Sequence, residues 1–310
     1  EEHEEEGGVR IDLEQRRLDL KGGWRELGGF IDSLLFRLGS TDYEHTELEG
    51  DEIGTVFTNE SLETRIEAVQ RRGEKWHGSF GLQFGDRDFE AVGEEAFTPP
   101  SNTEKWAVFA FQELDNESWR FQFGGRFETQ DVEATGQTSR GDDAFSGSVG
   151  AIYAPSSAYS LSLNLAHSAK LPTAEELYSD GPHIATNTFE IGDPDLDVET
   201  SLGFDVRFRA DFDTWDAEVS AFYNDFSDYI YLALTGEEED GLPVGRYVQS
   251  DAEFMGFEAQ AHIQLWELDP HHLELDLVGD LVRGELADGD NLPRLPAARL
   301  GGAVNYRCEQ

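Results

Sequence analysis

The chain has 310 residues and a formal charge of −42, set by 65 Asp plus Glu against 23 Lys plus Arg. A chain this long buries a sizeable core, which excludes a mini-protein scaffold, and a charge this negative repels phosphate backbones, which excludes nucleic acid as a partner. One cysteine, Cys308, rules out an intramolecular disulfide framework and a thiolate cluster, so a metal site has to use histidine and carboxylates.

No apolar run reaches the ~18 residues of a membrane-spanning helix, and the opening Glu1-Glu2-His3-Glu4-Glu5-Glu6 is the opposite of a signal peptide. The absent initiator Met and the finish at Cys308-Glu309-Gln310 read as a mature or excised piece of something longer.

Along the chain the dominant period is two, in runs of about nine to twelve residues. Trp76, Phe80, Leu82 and Phe84 form one apolar face. Trp119, Phe121, Phe123 and Phe127 alternate with Arg120, Gln122, Arg126 and Glu128. Tyr159, Leu161, Leu163 and Leu165 alternate with Ser160, Ser162, Asn164 and Ala166. Phe204, Val206, Phe208, Ala210 and Phe212 alternate with Asp205, Arg207, Arg209 and Asp211. Leu273, Leu275, Leu277 and Leu281 stand against Glu274, Asp276 and Asp280.

About thirteen strands are predicted, starting near Val9, Phe30, Thr55, Trp76, Lys105, Trp119, Phe145, Ala158, Val198, Trp215, Ala252, Leu273 and Ala298. Tight connections at Arg72-Gly73-Glu74, Asn116-Glu117 and Pro155-Ser156-Ser157 alternate with long ones, Gly136 to Asp143 and Gly236 to Gly245 among them. This is the pattern of an up-and-down meander.

Four or five apolar positions per face, at ~3.4 Å per residue, match an outer-membrane apolar band ~25 Å tall. Trp119, Tyr159, Trp215 and Tyr223 sit towards the ends of these runs, where an interfacial girdle belongs. The other face is too charged to pack as a core but suits a wet lumen. The expected fold is therefore all-β, an antiparallel up-and-down transmembrane β-barrel. A soluble β-rich binding or adhesion protein shares the period and differs in which face is buried.

One segment, residues 169–198, breaks the rhythm. Thr173 followed by Glu175 and Glu176 predicts a helix N-terminus, and Gly181-Pro182 stops the turn. A loop of this length is uncommon unless it is functional. Leu171-Pro-Thr-Ala-Glu-Glu-Leu-Tyr178, followed by Gly192-Asp-Pro-Asp-Leu196 and a Glu before the next strand, resembles the signature of TonB-dependent outer-membrane receptors. Gly181-Pro-His-Ile-Ala-Thr-Asn-Thr-Phe-Glu-Ile-Gly192 resembles the branch that imports zinc. Matches at residues 42–47, 54–59, 224–231, 247–258 and 295–300 extend the resemblance over nearly the whole chain.

The resemblance implies residues 1–310 as a partial barrel domain of a ~22-stranded barrel, with the plug and the last strands absent and two open edges. It implies nutrient import across a Gram-negative-type outer membrane, with zinc as transported ligand and no fixed cofactor. The partners it implies are the TonB system, reached through the missing N-terminal plug, and outer-membrane lipid. Ferric siderophore, haem or corrinoid are the alternative cargoes.

His45 and Glu47 lie two apart, so on a strand they share a side, and with His183 they are the candidate transient zinc ligands. A lone histidine is otherwise a hydrogen-bonded surface or lumen residue. His77, His167 and His262 show no same-face carboxylate pattern, His271-His272 point to opposite faces, and His3 belongs to a solvated charge run. No nucleophile elbow, His-Glu-x-x-His helix or phosphate-cradling glycine loop is present, so the chain is not read as an enzyme. Acidic loops such as Glu237-Glu238-Glu239-Asp240 would concentrate divalent cations; general salt adaptation explains the acidity equally well.

Overall fold

A computed structural model of the chain describes residues 9–49, 52–93, 96–183 and 186–308. His3 and its acidic neighbours lie outside them. The first eight strands run consecutively: β1 (Val9–Trp24), β2 (Ile31–Glu49), β3 (Glu52–Arg72), β4 (Trp76–Gly93), β5 (Ser101–Asn116), β6 (Trp119–Ala134), β7 (Arg140–Ser156) and β8 (Tyr159–Lys170). A short helix, α1 (Ala174–Tyr178), and two short strands, β9 (Asp180–His183) and β10 (Thr188–Ile191), follow. The meander resumes with β11 (Glu199–Phe212), β12 (Trp215–Glu239), β13 (Leu242–Leu268), β14 (His271–Leu286) and β15 (Arg299–Cys308).

All fifteen strands belong to one sheet, and the long ones pair antiparallel with their sequence neighbours, β8 pairing β11 across the interruption. The expected class is therefore borne out. Strands are longer than the periodicity suggested, up to 27 residues in β13. The two connections expected to be long are corrected as well. Residues 237–239 and 242–245 are strand, joined by Asp240-Gly241 with φ of 51° and 79°. Positive φ at both central positions is the hairpin geometry that Asp-Gly favours, and it carries the acidic residues into the ladder. Likewise β7 starts at Arg140, which leaves only residues 135–139 between it and β6.

Register fixes the two faces, because cross-strand partners point the same way. Phe127 pairs with both Val108 and Phe145, Leu163 with Val206 and Ala151, and Phe257 with Ala221 and Leu281. These side chains form a continuous apolar belt that the protein itself leaves exposed. Five of the six tryptophans, Trp24, Trp76, Trp119, Trp215 and Trp266, stand exposed beside the tight connections at one edge of the belt. On β12, Tyr223 stands eight residues beyond Trp215, ~27 Å along the strand and roughly 20 Å in height once tilted. No described helix is long and apolar enough to cross a membrane; the strands supply the crossing surface.

The opposite face curls around the segment that interrupts the meander. Arg87 of β4 pairs with Glu175 at 3.0 Å, Gln130 of β6 donates to the Pro172 carbonyl at 2.7 Å, and Tyr247 of β13 donates to Glu190 at 3.0 Å. One short stretch touching strands that far apart in the sheet requires a concave wall. The principal apolar core lies inside it: Val132, Ala174, Leu177, Tyr178, Leu196 and Ile230.

Candidate metal-binding lumen wall

The interrupting segment is held by local chemistry that its sequence specifies. Thr173 caps α1: its hydroxyl accepts from the Glu176 amide, and the Glu176 carboxylate accepts from the Thr173 amide. This reciprocal box satisfies two end donors that the short helix leaves open. Gly192 donates to the Ser179 carbonyl at 2.7 Å, and a Cβ there would meet the Leu177 carbonyl carbon at 2.6 Å, so only glycine allows this approach. The β9–β10 hairpin then adds to β13 in parallel, with Phe189 opposite Val244 and Glu190 opposite Gly245.

That pairing buries Glu190, which is 2% exposed. Its Oε1 accepts from His183 Nδ1 at 2.9 Å, Thr186 Oγ1 at 2.7 Å and Thr188 Oγ1 at 3.2 Å, while Oε2 accepts from the Tyr247 hydroxyl. Burial by itself raises the Glu190 carboxyl, but the bonds from His183, Thr186 and Tyr247, with the charge attraction of His183, outweigh it and hold the group at about 2. Burial, then the charge of Glu190, pushes the Tyr247 phenol up. The ring of Phe97 stacks on His183 at 4.2 Å. His183 is thus bound to Glu190, with its other ring nitrogen outside that network.

His45 and Glu47 lie on the lumen face of β2, towards the same end of the wall as this hairpin. His45 Nε2 is 4.0 Å from Glu47 Oε1, too far for a hydrogen bond. The ring stacks on Phe57 at 4.5 Å, and its buried Nδ1 has no hydrogen-bond partner. The structure therefore brings His45 and Glu47 together but does not bring His183 within joint ligand distance of them. Among the described residues, three His or carboxylate ligand atoms converge within 4.8 Å of one another only at His77, Glu113 and Asp115.

The sequence profile described as TonB dependent receptor-like, beta-barrel, matches residues 7–309. The chain belongs to this family. Among solved structures, the barrel resembles the copper transporter OprC, with TM-score 0.80 and 16% identity over 96% of this chain and 50% of that one. It also resembles the Serratia marcescens hemophore receptor HasR, solved with its hemophore and heme, with TM-score 0.71 and 15% identity over 88% and 49%. The Yersinia pestis ferric yersiniabactin uptake receptor FyuA gives TM-score 0.64 and 16% identity over 95% and 47%. The chain spans about half the length of these solved structures, and at such identities the likeness is one of fold. As a TonB-dependent receptor barrel with an outward apolar belt it belongs to the Gram-negative-type outer membrane, and its family is one of receptors, not enzymes.

Sequence spacing missed the partners of two lumen histidines in this receptor barrel. His77 meets Glu113, its register partner on β5, at 2.6 Å, and His262 meets Asp276 on β14 at 2.7 Å. Each carboxylate comes from a neighbouring strand, so only the hairpin register, and no local motif, could have revealed it.

Proposed function

We propose that this receptor barrel forms the wall of an outer-membrane importer of a scarce nutrient, energised by the TonB system acting through an N-terminal plug, and that its cargo is zinc. The observation that carries the cargo is the His45–Glu47 pair. An imidazole nitrogen and a carboxylate oxygen face each other at 4.0 Å on the lumen wall, and the other ring nitrogen is orphaned. Two ligands of a tetrahedral zinc at ~2.1 Å each stand ~3.4 Å apart, so a shift of about half an ångström admits the ion. His183, near the same mouth, offers a further nitrogen.

The donor chemistry of the described wall favours zinc over Cu(I), the soft form of the metal named for OprC. Soft sulfur ligands select Cu(I), and on this chain Met255 and Cys308 both lie on the outward face, in register with Tyr223 and His271. Imidazole with carboxylate suits zinc.

The test is zinc accumulation by zinc-depleted cells that carry or lack the receptor, each with and without an active TonB system. Accumulation that needs both supports the reading. Accumulation that needs neither, with growth restored only by ferric siderophore, haem or a corrinoid, overturns zinc as cargo and leaves the barrel standing.

A further inference from the structure

The tight-turn end of the lumen carries a second cluster. His77, Glu113 and Asp115 lie on β4 and β5, one residue along from Trp76 of the aromatic edge but on the opposite face. His77 Nε2 is 2.6 Å from Glu113 Oε1, and His77 Nδ1 is 3.8 Å from Asp115 Oδ2. Gln122 donates to the other Glu113 oxygen at 2.7 Å, which orients this buried carboxylate.

We propose that His77, Glu113 and Asp115 bind a divalent cation of the zinc class, as a weak release station at the periplasmic end of the lumen. The coordination claim stands on the donor set; the role in release rests on the import reading above. One imidazole and two carboxylates supply three ligands, and the open wall leaves a fourth position for water, as zinc sites that exchange their load require. With one atom from each residue, the three ligand atoms lie within 4.8 Å of one another, against the ~3.4 Å spacing of ligands on a tetrahedral ion, so closing onto one ion takes side-chain movements of about an ångström.

Two arginines border the cluster. Arg120 Nε lies 2.7 Å from Asp115 and 3.5 Å from Glu113, and Arg71 is the register partner of His77 on β3. Arg120 balances the carboxylates when no ion is bound, and it must yield Asp115 when one arrives. The site is therefore weak by construction, which suits release more than capture.

The experiment is equilibrium titration of Zn2+ into the receptor purified in detergent, against a chelating dye, with Mg2+ in large excess to occupy the general acidic surface. The receptor background carries His45→Gln and His183→Gln, so the other lumen mouth is silent. One equivalent of Zn2+ is expected to bind, weakened at least tenfold by His77→Gln and by Glu113→Gln, and tightened severalfold by Arg120→Gln. A purely structural ion-pair cluster would not gain affinity when its arginine is removed. Unchanged binding in His77→Gln, or no tightening in Arg120→Gln, overturns the proposal. Failure of the import reading would appear in the cell assay and leave this titration unaffected.

Discussion

Glu190 is a carboxylate almost out of water, and its four hydrogen bonds decide its charge. The group is held at about 2 against an ordinary 4.5. A carboxyl lowered on folding stabilises the fold at pH above its unfolded value, and the contribution fades as pH falls from about 4.5 towards about 2. The displacement is worth on the order of 3 kcal/mol. Glu190→Gln keeps the shape, removes the charge, and should loosen the β9–β10 hairpin by about 1–3 kcal/mol. Hydrogen exchange at the amides of Asp180, Gly181, His183 and residues 188–191 reads this directly. Lower protection at pH 7 in the variant, with wild-type protection falling to the same level only in acid, is the expected outcome; equal protection at pH 7 would show that the carboxylate is not the fastener.

At the scale of elements, the long strands were legible because alternation, turn glycines and flanking aromatics all report the same pleated, one-side-apolar surface. The helix was legible too, since Thr173 and Glu176 make a capping box readable three residues apart. The β9–β10 hairpin was not. Asp180-Gly-Pro-His183 carries Pro182, a strand breaker by its missing N–H, and Thr188-Phe-Glu-Ile191 is too short to show a period. Both become strands through the exposed upper edge of β13, where 242–251 extend beyond the pairing with β14. Glu237-Glu238-Glu239 was misread for a related reason: acidic residues have poor strand propensity, and the β12–β13 ladder overrides it. Of the candidate site, the His45–Glu47 pairing needed only period two, whereas the Glu190 anchor of His183 and the Glu113 partner of His77 needed tertiary pairing.

The same alternation gives a sharp test of which face meets lipid. Leu163 lies on the outward face of β8, midway between Tyr159 and His167, and Asn164 faces the lumen. Leu163→Arg should destabilise the barrel in lipid by about 2–4 kcal/mol, the cost of arginine near a bilayer midplane, and Asn164→Arg should cost far less. Urea unfolding in bilayers compares them. Equal effects would contradict an outward belt.

Across the whole molecule the charge of −42 has a definite geography. Above the belt, outward carboxylates stand side by side in register: Asp42, Glu60 and Asp88; Asp86, Glu104 and Asp131; Asp225, Glu253 and Glu285. Like charges directly opposite each other destabilise a sheet, and salt screens them, the Debye length falling from ~30 Å at 0.01 M to ~8 Å at 0.15 M. The receptor in detergent should therefore melt at a higher temperature as NaCl rises across that range, an effect a thermal scan detects. A flat or falling melting temperature would mean that these rows are already neutralised.

This acidic outer surface surrounds a lumen whose histidines, on the function proposed above, handle zinc. Zinc uptake by zinc-depleted cells, comparing wild type with His45→Ala and His183→Ala at matched surface expression, tests it most directly. Loss of uptake in both variants is the predicted result. Undiminished uptake in both would contradict the placement of the metal path on this wall.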